Sequence, residues 1–407
     1  MANQMIVAGL DLGSHDVKCV IGVHHEDGQV DIIGTGTHPA NGFQNGIVSN
    51  TADAVKSIKS AVSEASLMAD VEIKEVLLSV SSRHMESHND HGMARVLGET
   101  VDSDDVHAVV DVASAIKLPP EQQILHVVPQ DFIVDGRRGI PNPLGVRGVR
   151  LEVQAHVVMG HLARIESLEA CCRQAKLNVV DAIYGPLAQA EALLTQRERD
   201  VGVILLDIGA DTTDISVFEG GSIIHAATLP IGGERITRDI KDLLGTPRVE
   251  AEHLKRVHGC ATTELVAKDE KVSIPGVGGR KSREMDRYSF CEIIEARAVE
   301  ILHFVADELA QIGCSDGFPG GVVLTGATAN LEGMVELTQD VLRLHTTKGE
   351  PKGLHGLVDV IRDARYATAT GLVACGVQLK HLQWFSSRQV RLKRRGMRRS
   401  FRFWSRG

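Results

Sequence analysis

Two segments about half the chain apart share one pattern of apolar and polar positions. Residues 5–10 and 201–206 are apolar lead-ins, and each runs into Asp-Leu-Gly or Asp-Ile-Gly, then small or polar residues, then an alternating β-branched run. Residues 10–22 and 206–218 each predict a β-hairpin whose turn carries an Asp and a Gly. The repeat predicts two similar lobes that face each other across a cleft.

Between these hairpins the apolar spacing becomes helical, in residues 51–68 and 161–175. The stretch between the two helices predicts a strand (93–97), a helix that opens at an acidic DSDD (102–115), and two strands (124–134 and 151–159). A Gly/Pro-rich loop, residues 135–148, joins the last two. We expect this stretch to be an insertion within the first lobe.

Beyond the second hairpin, residues 236–244 and 290–309 predict helices that flank a Gly-rich, charged segment, residues 275–287. Residues 321–326 then predict a buried strand that runs into a turn, followed by a helix over residues 331–344. A strand, a glycine turn and a helix in this order are where α/β proteins bind nucleotides.

Composition is that of a globular protein with two lobes or several subdomains. The 407 residues are 43% apolar and 24% charged, enough to bury a large core. Seven scattered cysteines without metal-ligand spacing indicate buried thiols in a reducing cytoplasm. The chain has neither an export signal at its N-terminus nor an apolar run of about 18 residues, so neither export nor a membrane span is predicted.

The last twenty residues differ from the body, since they hold nine cations and no acid. On a helical wheel, Val390, Met397, Phe401 and Trp404 share one side, and most arginines lie opposite. This pattern predicts an amphipathic helix in the headgroup plane of a membrane. The side chains predicted to contact lipid are Met397, Phe401, Phe403, Trp404, Arg395, Arg398, Arg399 and Arg402.

Two other interpretations of the tail stay open, a solvated basic tail and a nucleic-acid arm, because arginine and aromatic residues also suit phosphates and bases. Separation of the apolar and basic faces favours the membrane, since a nucleic-acid arm does not need it. We therefore expect anionic lipid and no nucleic acid as its partner.

An Asp-x-Gly turn on a hairpin suits phosphate binding, because glycine lets the turn amides approach phosphate oxygens and the Asp can hold Mg²⁺ through water. A single such turn is more often an ordinary tight turn. Two in matching context, together with TGATA at residues 325–329 before a helix, favour a nucleotide site.

Four motifs carry a resemblance to a known family: DLGSHDVK (11–18), DAIYGPLAQAEALL (181–194), DIGADTTD (207–214) and VVLTGATANLEG (322–333). The chain resembles the actin/Hsp70/hexokinase superfamily and, within it, the FtsA family. Residues 126–136, 142–152, 230–240 and 272–280 are similar to FtsA as well. The resemblance spans most of the chain.

The resemblance implies an α/β, actin-like, two-lobed fold of duplicated ribonuclease-H-like domains, with an FtsA-type 1C insertion and a C-terminal amphipathic helix. The implied parts are subdomain 1A (1–82, 163–195 and 370–385), 1C (83–162), 2A (196–235 and 305–369), 2B (236–304), and a linker with the membrane-targeting helix (386–407).

The resemblance also implies ATP or ADP with Mg²⁺ as the ligand. Asp11 and Asp207 would lie near Mg²⁺ and hold it through water. The phosphates would be contacted from one hairpin by Gly13, Ser14 and Lys18, and from the other by Gly209, Thr212 and Thr213. Gly326 would lie against the adenosine, and the remaining implied site residues are Gly232, Gly233 and Ala327.

The motifs depart from the family pattern within this site. Ala210 and Asp211 follow Gly209, and Ala327 replaces a second glycine. In the connecting helix, which the motif places at residues 181–194, Gly185 before Pro186 stands where hydrolysing relatives often have Glu or Gln. We expect ATP binding to survive these changes and hydrolysis to be slow or absent.

The function implied is that of a division protein that polymerises on the cytoplasmic face of the membrane at the division site. It would anchor filaments of the tubulin-like FtsZ and help to recruit later division proteins through the 1C region. The FtsZ tail would dock on 2B, where Arg297 suits a carboxylate-rich peptide; pairing of Arg297 with Glu300 is the plainer interpretation.

Two alternatives share the fold. A small-molecule kinase or chaperone-type ATPase would need a Glu or Gln near the γ-phosphate and has no use for a basic amphipathic tail. A plasmid-segregating or shape-determining actin would lack the 1C-like insertion.

Overall fold

The protein is described by a computed structural model over residues 5–44, 46–81, 84–278, 281–313, 318–378 and 385–386. Within these residues the strands are β1 (Met5–Leu12), β2 (Asp16–His24), β3 (Val30–Pro39), β4 (Phe43–Gln44), β5 (Ile47–Val48), β6 (Glu75–Val80), β7 (Glu86–Arg95), β8 (Gln122–Val134), β9 (Arg137–Ile140), β10 (Arg150–His161), β11 (Asn178–Tyr184), β12 (Val203–Ile208), β13 (Thr213–Glu219), β14 (Ser222–Leu229), β15 (Lys271–Ile274), β16 (Arg283–Asp286), β17 (Val322–Thr325), β18 (Thr346–Lys348), β19 (Leu354–Gly356) and β20 (Phe385–Ser386).

The helices in the same residues are α1 (Thr51–Ala69), α2 (Ser103–Ala113), α3 (Leu162–Gln174), α4 (Gly185–Leu193), α5 (Gln196–Val201), α6 (Gly233–Leu244), α7 (Arg248–His258), α8 (Arg287–Gln311), α9 (Met334–Leu342), α10 (Val358–Ile361) and α11 (Ala367–Gln378). The predicted helices at 51–68, 102–115, 161–175, 236–244 and 290–309 are confirmed. None of the helices in the described ranges is long and apolar enough to cross a membrane.

The two predicted hairpins are confirmed, and each belongs to a sheet of the same topology. In the first sheet β1 is antiparallel to β2, β2 to β3, and β6 and β11 follow β1 in parallel. In the second, β12, β13 and β14 repeat the antiparallel part, and β17 and β18 repeat the parallel part. β19 adds a sixth strand to the first sheet. The repeat in the sequence is therefore a duplicated lobe.

The lobes differ in where extra chain enters. In the first, β7, α2, β8, β9 and β10 lie between the parallel strands β6 and β11 and form a third sheet, ordered β20-β8-β10-β7. In the second, α6, α7, β15 and β16 follow the third strand, β14. We call the β7–β10 segment the insertion; its helix α2 begins with a capping box of Asp102 and Asp105.

The insertion also contacts the second lobe, along the edge strand β14. Three of its side chains donate to carbonyls of β14: Ser87 Oγ to Ala226 at 2.8 Å, Asn89 Nδ2 to Ile224 at 3.1 Å, and Gln130 Nε2 to Ile223 at 2.9 Å. Ser222 Oγ returns a bond of 2.9 Å to the carbonyl of Pro129. These bonds join the insertion, which belongs to the chain of the first lobe, to the second lobe.

Helix α4 lies in the apolar core shared by the two lobes. Within that helix only Glu191 is not fully buried, and the surrounding cluster includes Leu77 of the first sheet, Leu205 of the second and Val158 of the insertion. α11 packs directly on α4: a Cβ on Gly371 would lie 2.1 Å from the Ala188 carbonyl oxygen. Such close contact of two helix backbones needs glycine at residue 371.

Some predicted elements were wrong at their ends. The connecting helix predicted over residues 181–194 begins only at Gly185, because residues 178–184 form β11 and Pro186 occupies the first turn of α4. The helix predicted over 331–344 is confined to Met334–Leu342, between Gly333 and Arg343, which both have left-handed backbone conformations.

Two predictions in the insertion need the same kind of correction. The strand predicted at 93–97 is β7, Glu86–Arg95, whose mostly exposed residues give little apolar signal. The loop predicted at 135–148 contains β9, because Asp135 and Gly136, both at positive φ, form a two-residue turn between β8 and β9. The Gly-rich segment at 275–287 likewise contains β16.

Replacing Gly371 tests the packing of α11 on α4. We expect Gly371→Ala to destabilise the protein by about 1–3 kcal/mol, because the new methyl group meets backbone that cannot move aside, although alanine favours an isolated helix. Gly98→Ala is the control, since its Cβ would lie 3.5 Å from the nearest atom, an ordinary contact. Thermal unfolding followed by circular dichroism compares them; equal midpoints would contradict the packing.

Candidate functional site

A cleft of about 330 Å³ lies between the two hairpins. Its walls come from the turn between β1 and β2, the turn between β12 and β13, the turn after β17, the start of α6, and α7. The volume is within the range of small-molecule sites. The repeat thus brings the two Asp-x-Gly turns to the same cavity.

The first turn holds a carboxylate beside a buried ammonium group. Lys18 Nζ lies 3.7 Å from Asp11 Oδ2, and both side chains are at most 15% exposed. Ser79, at the end of β6, donates to Asp11 Oδ1 at 2.7 Å. Because Lys18 is held in the cleft and not in solvent, its charge is available to an anion there.

The second hairpin holds Asp207, which Gln189 of α4 contacts. Gln189 Nε2 donates to Asp207 Oδ2 and, at 2.8 Å, to Thr368 Oγ1. Burial raises the pKa of Asp207 to about 6, and the charge of Asp11 acts in the same direction, against the Gln189 hydrogen bond and Lys18. Gln189 Oε1 is buried and has no partner among the described residues.

Asp214 is a third carboxylate at the same cleft. Its side chain is almost fully buried and accepts a hydrogen bond of 2.5 Å from Thr228 Oγ1. Burial, followed by the charge of Asp207, raises the pKa of Asp214 to about 7. The Tyr184 hydroxyl, which belongs to the first lobe, hydrogen-bonds the side chain of Thr228.

Glycine is required where the turns come closest to the cleft. A Cβ on Gly13 would lie 2.8 Å from the carbonyl oxygen of Asp16 and 3.7 Å from Lys18 Nζ. Gly326 has φ +88, and a Cβ there would lie 2.1 Å from Asp207 Oδ1. Backbone without side chains therefore faces the space beside the carboxylates.

Ten of the twelve predicted nucleotide residues line this cleft. They are Asp11, Gly13, Ser14, Lys18, Asp207, Gly209, Thr212, Gly233, Gly326 and Ala327. Thr213 does not, because its buried hydroxyl donates to the Ile231 carbonyl at 2.8 Å. Gly232 precedes α6, packed against the carbonyl oxygens of Gly209 and Ala210.

The wall opposite the first hairpin was not predicted. Lys255 Nζ pairs with Glu252 at 2.6 Å and donates to Thr237 Oγ1 at 2.8 Å, so α7 presents an ion pair to the cleft. The pKa of His15, in the first hairpin, is raised mainly by its hydrogen bond with Asp16 and more weakly by the charge of Glu252 across the cleft. The only signal in the sequence was the amphipathic spacing of α7, which does not indicate a site.

Gln189 was not predicted as a site residue, although it lies in the family motif at residues 181–194. It is four residues after Gly185 on α4, so the two share a helix face. This face of α4 therefore carries, besides Gly185, an amide that contacts Asp207 directly. The helix spacing could have revealed it once the start of α4 was known.

Three positions that depart from the family pattern, two in the second turn and one after β17, also lie at the cleft. Ala210, Asp211 and Ala327 all line it. Hydrogen bonds to Glu234 raise the pKa of Arg248, and the negative charge of Asp211 raises it further by a smaller amount. The charge of Asp211 thus has a nearby cation within the protein.

The predicted partner residue and the tail lie elsewhere. Arg297 Nε donates to Asp239 Oδ2 at 2.5 Å, and its guanidinium also pairs with Glu300, as in the plainer interpretation. The membrane residues of the tail lie outside the described residues.

The cleft suits a nucleotide with a divalent cation. The carboxylates of Asp11 and Asp207 lie near the Lys18 ammonium group, and glycine backbone leaves room for phosphates. In the described part of the chain no three His, Cys, Asp or Glu side chains lie close enough to ligate a metal directly. A cation here would be held partly by phosphate and water, as Mg²⁺ usually is.

Comparison with known proteins agrees with the duplicated lobes and the insertion. A family model described as "Cell division protein FtsA" matches residues 204–371, and one described as "SHS2 domain inserted in FTSA" matches residues 82–159. The cell division protein FtsA of Pseudomonas aeruginosa is 38% identical over 373 residues, which cover 92% of this chain and 89% of that relative. The chain belongs to the FtsA family.

Other FtsA relatives match over a similar length. The protein of Escherichia coli K12 is 36% identical, with 92% of this chain and 91% of that relative covered, and that of Bacillus subtilis is 33% identical, with 92% and 84% covered. The family model of the inserted SHS2 domain covers the strands β7, β8 and most of β10, so the insertion described above is this domain.

Solved structures show the fold of this FtsA-family chain. The PilM–PilN type IV pilus biogenesis complex aligns with a TM-score of 0.67 at 17% identity, covering 91% of this chain and 98% of that chain. MreB5 of Spiroplasma citri bound to ADP aligns with a TM-score of 0.54 at 13% identity, covering 92% and 97%. The predicted actin-like, two-lobed α/β fold is confirmed.

The carboxylates of this FtsA-family site predict a pH dependence of stability without ligand. Asp207 and Asp214 have folded-state pKa values of about 6 and 7, above the ordinary value of 3.8. Over this range the folded protein binds more protons at these two carboxylates than the unfolded chain does, so their contribution to the free energy of unfolding should fall from pH 5 to pH 8. The buried His126, whose pKa is about 3, acts in the opposite direction below its ordinary value of 6.5.

Asp214→Asn should flatten that decline and raise stability at pH 8, because the neutral amide removes one buried charge. Asp359→Asn, at a fully exposed carboxylate, is the matched control and should keep the wild-type profile. Urea unfolding at several pH values, without nucleotide or Mg²⁺, measures the effect. A profile for Asp214→Asn as steep as the wild type would refute the assignment.

Proposed function

We propose that this FtsA-family chain binds ATP with Mg²⁺ in the cleft, polymerises on the cytoplasmic face of the membrane at the division site, and anchors FtsZ filaments there. The observation that carries the nucleotide proposal is the meeting of Asp11, Lys18 and Asp207 from two duplicated hairpins at one cleft. The membrane proposal rests on the amphipathic tail. The partner proposals rest on the family.

Each part of the nucleotide has a complementary part of the cleft. Lys18, Ser14 and the backbone at Gly13 would hold phosphate oxygens from one side, and Thr212 from the other. Gly326 and Ala327 leave open backbone where the nucleoside would lie. Bound Mg²⁺ would supply positive charge that offsets the repulsion between the phosphates and the carboxylates of Asp11 and Asp207.

ATP turnover is proposed to be slow, so that the nucleotide acts mainly by stabilising a filament-competent state. Asp211 adds negative charge at the cleft, and Gly185 supplies no side chain at the start of α4. Gln189 is the polar group from α4 that could order a water, but its amide nitrogen already donates hydrogen bonds to Asp207 and Thr368. Robust protein-dependent phosphate release would refute slow turnover.

Lys18→Gln tests the nucleotide proposal. Loss of a charged hydrogen bond to phosphate should weaken binding of Mg²⁺-ATP by about 10- to 100-fold. Lys59→Gln, an exposed lysine on α1, is the control and should bind like the wild type. Isothermal titration calorimetry gives both dissociation constants; equal affinity of the two variants would sink the assignment.

The tail is proposed to be a reversible membrane anchor. Each cation near an anionic leaflet contributes about 1 kcal/mol, and each large apolar side chain about 1.5–3 kcal/mol before the cost of ordering the helix. Gly396 lowers the helix propensity by about 1 kcal/mol. A single tail would therefore bind weakly, and a filament would gain avidity from many tails on one membrane.

Co-sedimentation with liposomes that contain anionic lipid, in the presence of ATP, tests this anchor. The full chain should pellet, and a chain truncated after Ser387 should stay in the supernatant. Phe401→Ala, on the apolar stripe, should reduce pelleting more than Leu392→Ala, which lies off it. Equal pelleting of the full and truncated chains would eliminate the anchor.

The FtsZ tail is proposed to dock on residues 236–304, and other division proteins on the insertion. Arg297 can contribute only by exchanging its pairing with Asp239 and Glu300 for a carboxylate of the peptide. The competing kinase or chaperone-type ATPase gains no support from a specific observation.

A further inference from the structure

The last described strand, β20, lies on the insertion. Phe385 pairs with Val127 and Ser386 with His126, antiparallel to β8, at an edge that β9 leaves open. β20 also contacts β11, the edge strand of the first lobe. The segment that leads into the basic tail is therefore docked where the insertion meets the first lobe.

His126, opposite Ser386, connects this docking place to the first lobe. Its ring is fully buried, and its Nε2 accepts a hydrogen bond of 3.0 Å from the backbone N–H of Tyr184. Burial lowers the pKa of His126 to about 3, so the ring stays neutral and Nε2 remains an acceptor. Any shift of β8 at this residue acts directly on the residue that precedes α4.

Tyr184 continues the connection into the second lobe. Its buried hydroxyl hydrogen-bonds Thr228 on β14, and the Thr228 hydroxyl donates a hydrogen bond to Asp214 at the cleft. When Asp214 is ionised, the Thr228 hydroxyl donates to it, so the Tyr184 hydroxyl is then the donor to Thr228. The bonds thus run from β8 through the start of α4 to a carboxylate of the site.

We propose that docking of β20 on β8 and binding of Mg²⁺-ATP stabilise each other through His126, Tyr184, Thr228 and Asp214. The proposal rests on the proposed nucleotide function for its ligand. Tyr184 and Thr228 act as positioning residues, since they set the place of Asp214 without lining the cleft themselves. The element with two states is β20, which is either docked on β8 or released. Because the hydrogen bonds between β8 and Asp214 are buried, water cannot replace one that is broken, so a shift at β8 affects the others.

Reciprocity follows from thermodynamic linkage. If β20 strengthens ATP binding by a given factor, ATP strengthens the docking of β20 by the same factor. Nucleotide in the cleft would thus favour the docked state of β20, which precedes the basic tail, and release of β20 would weaken nucleotide binding.

The experiment is a double-mutant cycle in the full chain. Phe385→Pro with Ser386→Pro removes the N–H groups of β20 and blocks pairing, while Phe385→Val with Ser386→Thr keeps them and is the matched control. Tyr184→Phe deletes one hydroxyl and keeps the backbone N–H that donates a hydrogen bond to His126. Dissociation constants for Mg²⁺-ATP are measured by titration calorimetry in all combinations.

The proline pair should weaken Mg²⁺-ATP binding by about 2- to 10-fold in the wild-type background and have little effect in the Tyr184→Phe background, where the link is already broken. The Val/Thr pair should bind like the wild type. No effect of the proline pair, or the same effect in both backgrounds, would overturn the proposal.

Amide hydrogen exchange separates this proposal from the nucleotide function. Without nucleotide, the proline pair should speed exchange in β13 around Asp214, and Tyr184→Phe should abolish that response. If the wild type fails to bind ATP, the proposed function fails, and exchange alone decides the link. Unchanged exchange around Asp214 in the proline pair would refute the link even in a chain that binds ATP.

Discussion

Burial of α4 between the two sheets is the constraint on which the rest of the molecule depends. A helix buried on all sides cannot rotate or slide without opening apolar surface on both lobes, which costs about 25 cal/mol for each Å² exposed. α11 adds backbone contact at Gly371. Because Gln189 and Thr368 sit on these two helices and contact each other, their packing fixes Asp207 relative to the first hairpin.

The buried carboxylates at the cleft lower the stability of the folded protein when they are ionised. Asp11 and Asp207 lie near the Lys18 ammonium group, and burial disfavours the charged forms of Asp207 and Asp214. A stable protein could have replaced them with neutral side chains. Retaining buried carboxylates is typical of functional sites, where stability is exchanged for affinity toward a ligand.

The sequence predicted the duplication well, because both hairpins depend on local alternation and on a glycine turn. Most helices were predicted to within a few residues from their apolar spacing. β7 and β9 were poorly predicted, since an exposed edge strand and a short Asp-Gly hairpin bury little apolar surface. The start of α4 depends on β11 pairing with β6, a contact between distant segments that local pattern does not contain.

The site was predictable only where one motif holds the residue. Asp11, Lys18 and Asp207 lie within the hairpin motifs. Glu252 and Lys255 reach the cleft because α7 packs there, and Gln189 because α4 begins at Gly185 and not earlier. Thr213 alternates to the opposite face of β13, which the motif alone did not resolve.

The hydrogen bonds from the insertion to β14 have a further consequence for how copies of this chain can meet. An edge strand with free carbonyls is a template on which a strand of another molecule can add, and such pairing tends toward irreversible aggregation. Here the carbonyls of Ile223, Ile224 and Ala226 already accept side-chain donors. A strand from another molecule would therefore have to break these side-chain hydrogen bonds before it could pair here, which protects this edge against such aggregation.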